Sequence, residues 1–531
     1  FRDLTTGQNL PDSIVGATSL VWVDDKTLFY GAQEARTLRT NRILRYHLGQ
    51  AQATDTLVYR EEDPRFAVSC YRSKSKAFIF LSTGSSEVTE YHYLRADDPS
   101  GNFRLFLSRE KAERYSISHH QNHFYVLSDR DGKNGTLYRT DTNRIAPKHW
   151  EKIVPHRQGV LLSNYLVLDN YLVVQEKENA QSRLRITDRR TQERHYVKQK
   201  EDIYSIDIGY NPIFTTDTLQ YVFSSFESPP KTVNYHLGDK GSRLVRQRKN
   251  KVYFGKYVTR REWATAADGA RVPITLVYNK WRGGGAKTDH KRLYLTAYGA
   301  YGAGTEPGYS DYVNALLQRG FTYAIAHVRG GDDLGMEWYE AGSMLQKKNT
   351  FTDFIACAEH LIAEGYTTAG AITAQGSSAG GLLMGVVANE RPDLFRAIEL
   401  DVPFVDVINT MLDDKLPLTT GEYLEWGNPN KKKYFDYMYS YSPYENVKAQ
   451  DYPHLFFYTG LNDTRVGYWE PAKMVAKLRT LKTDDHLLLL KTDFSGGHGG
   501  GSGRYAGLRA AAYKLALLFD LYDREEQLEK R

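Results

Sequence analysis

The sequence predicts an all-β propeller followed by a mixed α/β domain, on three observations. The first half consists of short β-type runs that restart at a nearly constant interval. The second half alternates buried strand-like runs with helical ones. A Gly-x-Ser-x-Gly turn, Gly376-Ser377-Ser378-Ala379-Gly380, lies between a strand and a helix of that second half.

Within residues 1–252 the runs beginning at Ser19, Phe66, Glu113, Val160 and Tyr204 each hold two strand-like stretches around a polar turn. Further strand-like stretches such as "RILRYHL" and "GTLYRTD" follow. The starts lie 47, 47, 47 and 44 residues apart. A period of ~40–50 residues with four strands per unit is that of a propeller blade, and it disfavours an irregular β-sandwich. Five blades are expected, with residues 1–12 as the outer strand of another. Opening on Phe1 near the end of that strand, the sequence is expected to start partway through a propeller.

From 253 to 531 the runs "RLYLTAYG", "TYAIAHVRGG", "AITAQG", "HLFFYTG" and "HLLLLKT" read as buried strands. Phe354, Ile355, Ala358, Leu361 and Ile362 share one face of a helix that Gly365 ends. Strands alternating with helices predict a mostly parallel sheet covered on both faces.

At 531 residues one core is too few, and 41% hydrophobic with 25% charged residues is a globular composition. No run reaches the ~18 apolar residues of a membrane span. A net charge of +6 without a dense Lys/Arg run gives no nucleic-acid signature; "NKKKYF" at 430–435 reads as a solvated loop. Cys70 and Cys357 fall in different predicted domains, so neither a disulfide framework nor a cysteine-rich metal site is expected. No metal or organic cofactor is expected.

A strand-to-helix turn flanked by glycines forces its central serine into a tight elbow with an exposed hydroxyl. Ser378 is central; Ser377 is flanked by Gln375 and Ala379 and does not fit. An α/β-hydrolase then supplies, in chain order, an acid and a histidine. Asp463 follows the strand "HLFFY" and His498 follows "HLLLLKT", at strand ends where open α/β sheets place their chemistry. Alone, Asp463 reads as a loop cap and His498 as a turn residue; order and placement together make a triad with Ser378 as nucleophile.

The segments "YGAYG", "HVRGGDDLGMEWYEAG", "GSSAGGLLMG", "VPFVDVINTMLDD", "LTTGEYLEWGNP", "YWEPAKMVAKLR" and "SGGHGGGSGR" resemble oligopeptidase B (protease II), a branch of the prolyl oligopeptidase family. The resemblance implies a serine peptidase whose propeller caps an α/β-hydrolase domain, cutting oligopeptides after Lys or Arg. It makes Ser378, Asp463 and His498 the catalytic residues, and it gives Tyr298 and the N–H of Ala379 to the oxyanion hole. Read without it, Tyr298 is a core tyrosine. It also makes Glu422 the acid that receives the basic side chain and Glu306 an acid of the second subsite.

Two positions depart from the family pattern. Leu424 and Gly308 stand where a second acid is usual at each subsite, so weakened preference for paired basic residues is expected. The resemblance further implies a cytoplasmic protein, with a periplasmic one left open because the native N-terminus is not seen, and a monomer or weak oligomer. The alternatives are a peptidase of the same family with non-basic specificity, a lipase or esterase, and a non-catalytic propeller binding protein.

Overall fold

The computed structural model describes residues 1–85, 88–111, 113–249, 257–287 and 291–529. They form two compact units: residues 1–158 with 410–428, and residues 159–409 with 429–531. The expected domain junction at 252/253 lies outside the described residues.

In the first unit, three four-stranded sheets follow one another over residues 17–60, 67–107 and 115–154, each with its strands in sequence order. Every neighbouring pair is antiparallel. The blade-like units expected from 19, 66 and 113 therefore appear within two residues of those positions. In the first sheet, Thr27–Gln33, paired on both sides, is mostly buried, and the edge strands Ala17–Trp22 and Thr56–Arg60 are not. The turn between the first two strands is fixed locally: Asp24 Oδ1 accepts from the backbone N–H of Lys26 and Thr27 at 2.8 and 2.7 Å.

Residues 1–12 are not the expected outer strand. They fold into a tight loop closed by one antiparallel bridge, Arg2 to Asn9. Asp3 Oδ1 accepts from the N–H of Thr5 and Thr6, a turn that competes with extended pairing. Phe1 stacks on Tyr46 and meets Trp22 edge-on.

The second unit holds two more four-stranded sheets, over residues 160–196 and 205–247, and one eight-stranded sheet. The strands of the large sheet are β1 (Tyr257–Thr265), β2 (Arg271–Asn279), β3 (Leu293–Thr296), β4 (Thr322–Ala326), β5 (Ile372–Ser377), β6 (Phe395–Asp401), β7 (His454–Gly460) and β8 (Leu488–Asp493). Their order is β1-β2-β4-β3-β5-β6-β7-β8. β1 and β2 run antiparallel, β2 meets β4 antiparallel, and the other pairs are parallel. Leu293, Leu295, Ala324, Ile372, Ala374, Ala397, Ile398 and Leu400 are fully buried, the near-continuous apolar filling of a sheet covered on both faces.

Three strands escaped sequence reading. β1 reads "YVTRREWAT" and β6 "FRAIELD", and in both the charged residues interrupt the apolar run. β2 is apolar but pairs antiparallel ahead of the parallel core. "NKKKYF" is also corrected: Lys432–Tyr439 is helical with Lys431 at its N-cap, and Lys431, Lys432 and Lys433 are exposed. Among the described residues, no helix is long and apolar enough to cross a membrane.

Candidate active site

Ser378 joins β5 to the helix Ala379–Glu390 with φ 57° and ψ −117°, a left-handed backbone that a non-glycine residue adopts at a cost. Its N–H donates to the Asp401 carbonyl at 2.8 Å, and its own carbonyl accepts from Gly381, Leu382 and Phe404. The strained residue is thus held from both sides. The flanking glycines are required by contact: a Cβ on Gly376 would lie 2.1 Å from the Gly380 oxygen, and one on Gly380 2.8 Å from the Ala297 oxygen. Ser378 is half-buried and Ala379 buried.

The same contact brings Tyr298 to the elbow. Tyr298 follows β3, and a Cβ on Gly380 would lie 3.5 Å from both its Cα and its Cδ2. Ala379 is the first helical residue, so its N–H has no partner within the helix. Tyr298 is half-buried rather than a fully buried core residue, with its ring 6.3 Å from that of Tyr301.

Asp463 and His498 meet. His498 Nδ1 lies 2.7 Å from Asp463 Oδ2, with the aspartate side chain fully buried and that of the histidine 20% exposed. Asp463 Oδ1 accepts from the N–H of Arg465 and Val466 at 2.9 and 3.0 Å. Both oxygens are therefore engaged, and the carboxylate is fixed by backbone as well as by the ring. Engagement of Nδ1 leaves Nε2 for a proton transfer.

The glycines around His498 do specific work. A Cβ on Gly460, the last residue of β7, would lie 2.6 and 2.7 Å from the oxygens of Gly496 and Gly497. Asn462 N–H donates to the Gly496 carbonyl at 3.0 Å. Gly497 and Gly500 bridge each other, placing His498 at the tip of a turn with Gly500 at φ +84°. Ser377, His498, Tyr458, Phe494 and Tyr513 line one cavity of about 800 Å³.

Behind the elbow the sheet carries a polar layer. Tyr294 donates to Glu399 Oε2 at 2.9 Å and Tyr312 to the same atom at 3.2 Å. Gln375 Nε2 donates to Asp401 Oδ2 at 2.9 Å, and Lys514 pairs with Oδ1 of the same aspartate. Burial first, and the charge of Asp401 second, push the Glu399 carboxyl up to about 7. Nothing in the sequence of β6 announced this layer.

Glu422 lies in the helix Thr419–Trp426 of the first unit, where its Oε2 accepts from Trp426 Nε1 at 2.8 Å. It is half-buried, whereas Glu425 is buried, so the two acids of that helix stand in different surroundings. In the second unit, Glu306 has close partners that sequence reasoning missed. Lys177 Nζ lies 2.7 Å from its Oε1, and Ser182 Oγ donates to its Oε2 at 3.0 Å. Both partners are more than a hundred residues away in sequence, and no local pattern points to them.

Comparison with known proteins agrees with this architecture. The model of "Prolyl oligopeptidase, N-terminal beta-propeller domain" matches residues 1–248, and that of "Prolyl oligopeptidase family" matches residues 307–522. Dipeptidyl aminopeptidase BI of Pseudoxanthomonas mexicana is 40% identical over 98% of the chain and 72% of that protein. Protease 2 of Moraxella lacunata is 35% identical over 98% of the chain and 75% of its own length. Oligopeptidase B from Leishmania major superposes with a TM-score of 0.92 at 34% identity, covering 98% of this chain and 74% of that one. Oligopeptidase B from Trypanosoma brucei, with covalently bound antipain, gives 0.89 at 37% identity, covering 97% and 74%. A propeller-type half, an α/β-hydrolase sheet with its serine elbow, and relatives of this identity and coverage place the chain in the prolyl oligopeptidase family, as a serine peptidase that hydrolyses peptide bonds.

Proposed function

We propose that the protein cuts oligopeptides on the carboxyl side of Lys or Arg through an acyl-enzyme. The observation that carries the chemistry is the 2.7 Å contact of His498 with buried Asp463, just past the ends of β8 and β7 in the sheet whose β5 ends in the strained serine elbow. Ser378 Oγ attacks the scissile carbonyl while His498 Nε2 takes its proton. The Tyr298 hydroxyl and the Ala379 N–H receive the oxyanion, each such donor being worth ~3–4 kcal/mol in the transition state. His498 returns the proton to the leaving amine, and water, activated by the same nitrogen, releases the acyl group.

Specificity for a cation rests on Glu422 in "LTTGEYLEW", supported by resemblance to oligopeptidase B and by 35% identity to a Protease 2. Glu306 serves the second subsite. The domains divide at 252/253, and the protein acts as a monomer or weak oligomer in the cytoplasm. A second reading comes from the 40% identity to a dipeptidyl aminopeptidase: release of two residues from a free amino terminus.

The test is kcat/KM on matched peptides with Arg, Lys, Pro or Ala before the cleaved bond, with free and blocked amino termini. Strong Arg/Lys preference that collapses in Glu422→Ala supports the proposal, since removing one partner of a buried ion pair costs ~3–5 kcal/mol. Preference for Pro, or indifference to the substitution, refutes it. Loss of turnover on blocking the amino terminus selects the second reading.

A further inference from the structure

The acidic corner around Glu306 already contains a cation of the protein's own. Lys177 Nζ lies 2.7 Å from Glu306 Oε1 and 2.7 Å from Asp332 Oδ1, its side chain 10% exposed against 35% and 17% for the two acids. Asp333, next in sequence, is engaged elsewhere, with Oδ1 2.8 Å from His327 Nδ1. Lys177 is therefore shared between two carboxylates. Burial lowers the pKa of this ammonium, but Glu306, Asp332 and Asp333 outweigh burial and raise it, so it stays charged.

The lysine is held in place by its own hairpin. Lys177 lies near the end of the strand Tyr171–Glu178, which turns through Asn179 and Ala180, both at positive φ, into Gln181–Asp188. A left-handed alanine is costly, and this one is clamped: its N–H donates to the Asp333 carbonyl at 2.9 Å and its carbonyl accepts from Arg261 at 2.9 Å. On the other side, a Cβ on Gly304 would lie 2.5 Å from Asp332 Oδ1 and 2.9 Å from Lys177 Nζ. A side chain at 304 would have to displace these side-chain ends.

We propose that Lys177 is a specificity-determining residue: it stands where a second basic side chain of the substrate would otherwise bind, and so sets the preference for a single basic residue. This rests on the reading of Glu306 as a second-subsite acid. It gives a physical cause beyond Gly308 for weakened dibasic preference, because the acid retained at that subsite is already paired from within.

The test is the ratio of kcat/KM for a peptide with Arg before the cleavage-site residue to its Ala counterpart. It is measured in the parental protein and in Lys177→Met, Lys177→Gln and Lys177→Arg. Rates are normalised to sites labelled by a fluorophosphonate, so that unfolded material drops out. Gln keeps a donor between the two acids if Met destabilises the corner. The ratio is expected to rise about tenfold in the Met and Gln variants, the factor that 1.4 kcal/mol supplies. It is expected to stay within about twofold in Lys177→Arg and to return in Lys177→Met/Glu306→Gln. An unchanged ratio in both neutral variants, or a rise that survives the Glu306→Gln change, overturns the proposal. Should the parental protein prefer a residue other than Lys or Arg at the cleavage site, the Lys/Arg reading fails. The same ratio, taken at the preferred residue, still decides the role of Lys177.

Discussion

Strands β5 and β6 carry two sites side by side, built by opposite means. At the end of β5 the elbow is held by backbone: Ser378 N–H on the Asp401 carbonyl, and glycines whose missing side chains admit the neighbouring carbonyls. Within the last three residues of the same strands, Gln375, Glu399 and Asp401 are held by side chains arriving from β3, from Tyr312 and from Lys514. The first arrangement restricts which residues can stand at adjacent positions, and so it leaves a motif. The second requires only that distant residues meet, and it leaves none.

The largest effects are expected on the motif side. Ser378→Ala removes the proposed nucleophile, and kcat on any cleaved peptide should fall by about 10⁶, leaving the residual rate that oxyanion donors and binding supply. Loss of less than about a hundredfold would mean that another group attacks, and the elbow would be a structural turn. Asp463→Asn comes next. It keeps the shape but gives His498 the wrong partner, with an expected loss of about 10⁴ in kcat. A change confined to KM would make Asp463 a loop anchor through Arg465 and Val466 alone.

Gly376→Ala asks whether the elbow's glycines are steric requirements. The new Cβ would sit 2.1 Å from the Gly380 oxygen and 2.9 Å from Met384 Cγ, and helix backbone cannot yield that far. The expected cost is about 3 kcal/mol or more, read as a drop in urea midpoint together with lost fluorophosphonate labelling. A variant as stable and as readily labelled as the parent would show that the strand and helix can part, and the motif would lose its physical basis.

The same contrast explains what was legible beforehand. The repeat length showed the blade-like sheets because each blade closes locally through neighbouring antiparallel strands. The strand-end positions of Ser378, Asp463 and His498 were legible because each follows a strand in a fixed order. Residues 1–12 were expected as an outer strand, whereas the Asp3 side chain fixes a turn there through the N–H of Thr5 and Thr6. β6 was missed because Glu399 and Asp401 look like surface charge until Tyr294, Tyr312 and Lys514 are brought to them. Lys177 was missed for the same reason: its partners lie at Glu306 and Asp332.

The polar layer has its own, smaller prediction. Burial and the neighbouring Asp401 raise the Glu399 carboxyl from 4.5 to about 7 in the folded protein. Between those pH values the folded state holds a proton that the unfolded state has lost, so stability must fall as pH rises. The contribution is complete below about pH 4.5, the unfolded value, and is lost as pH passes through about 7. A shift of that size corresponds to roughly 3–4 kcal/mol. Glu399→Gln, which keeps acceptor and shape without a titrating proton, should flatten the dependence. Its urea midpoint should match the parent's near pH 5 and exceed it near pH 8. If the two proteins lose stability in parallel across that range, Glu399 is not the titrating group and the layer is held by fixed charge alone, with Lys514 compensating Asp401. A flattened profile would show instead that these strands combine a backbone-fixed serine with a carboxyl that their own burial keeps protonated.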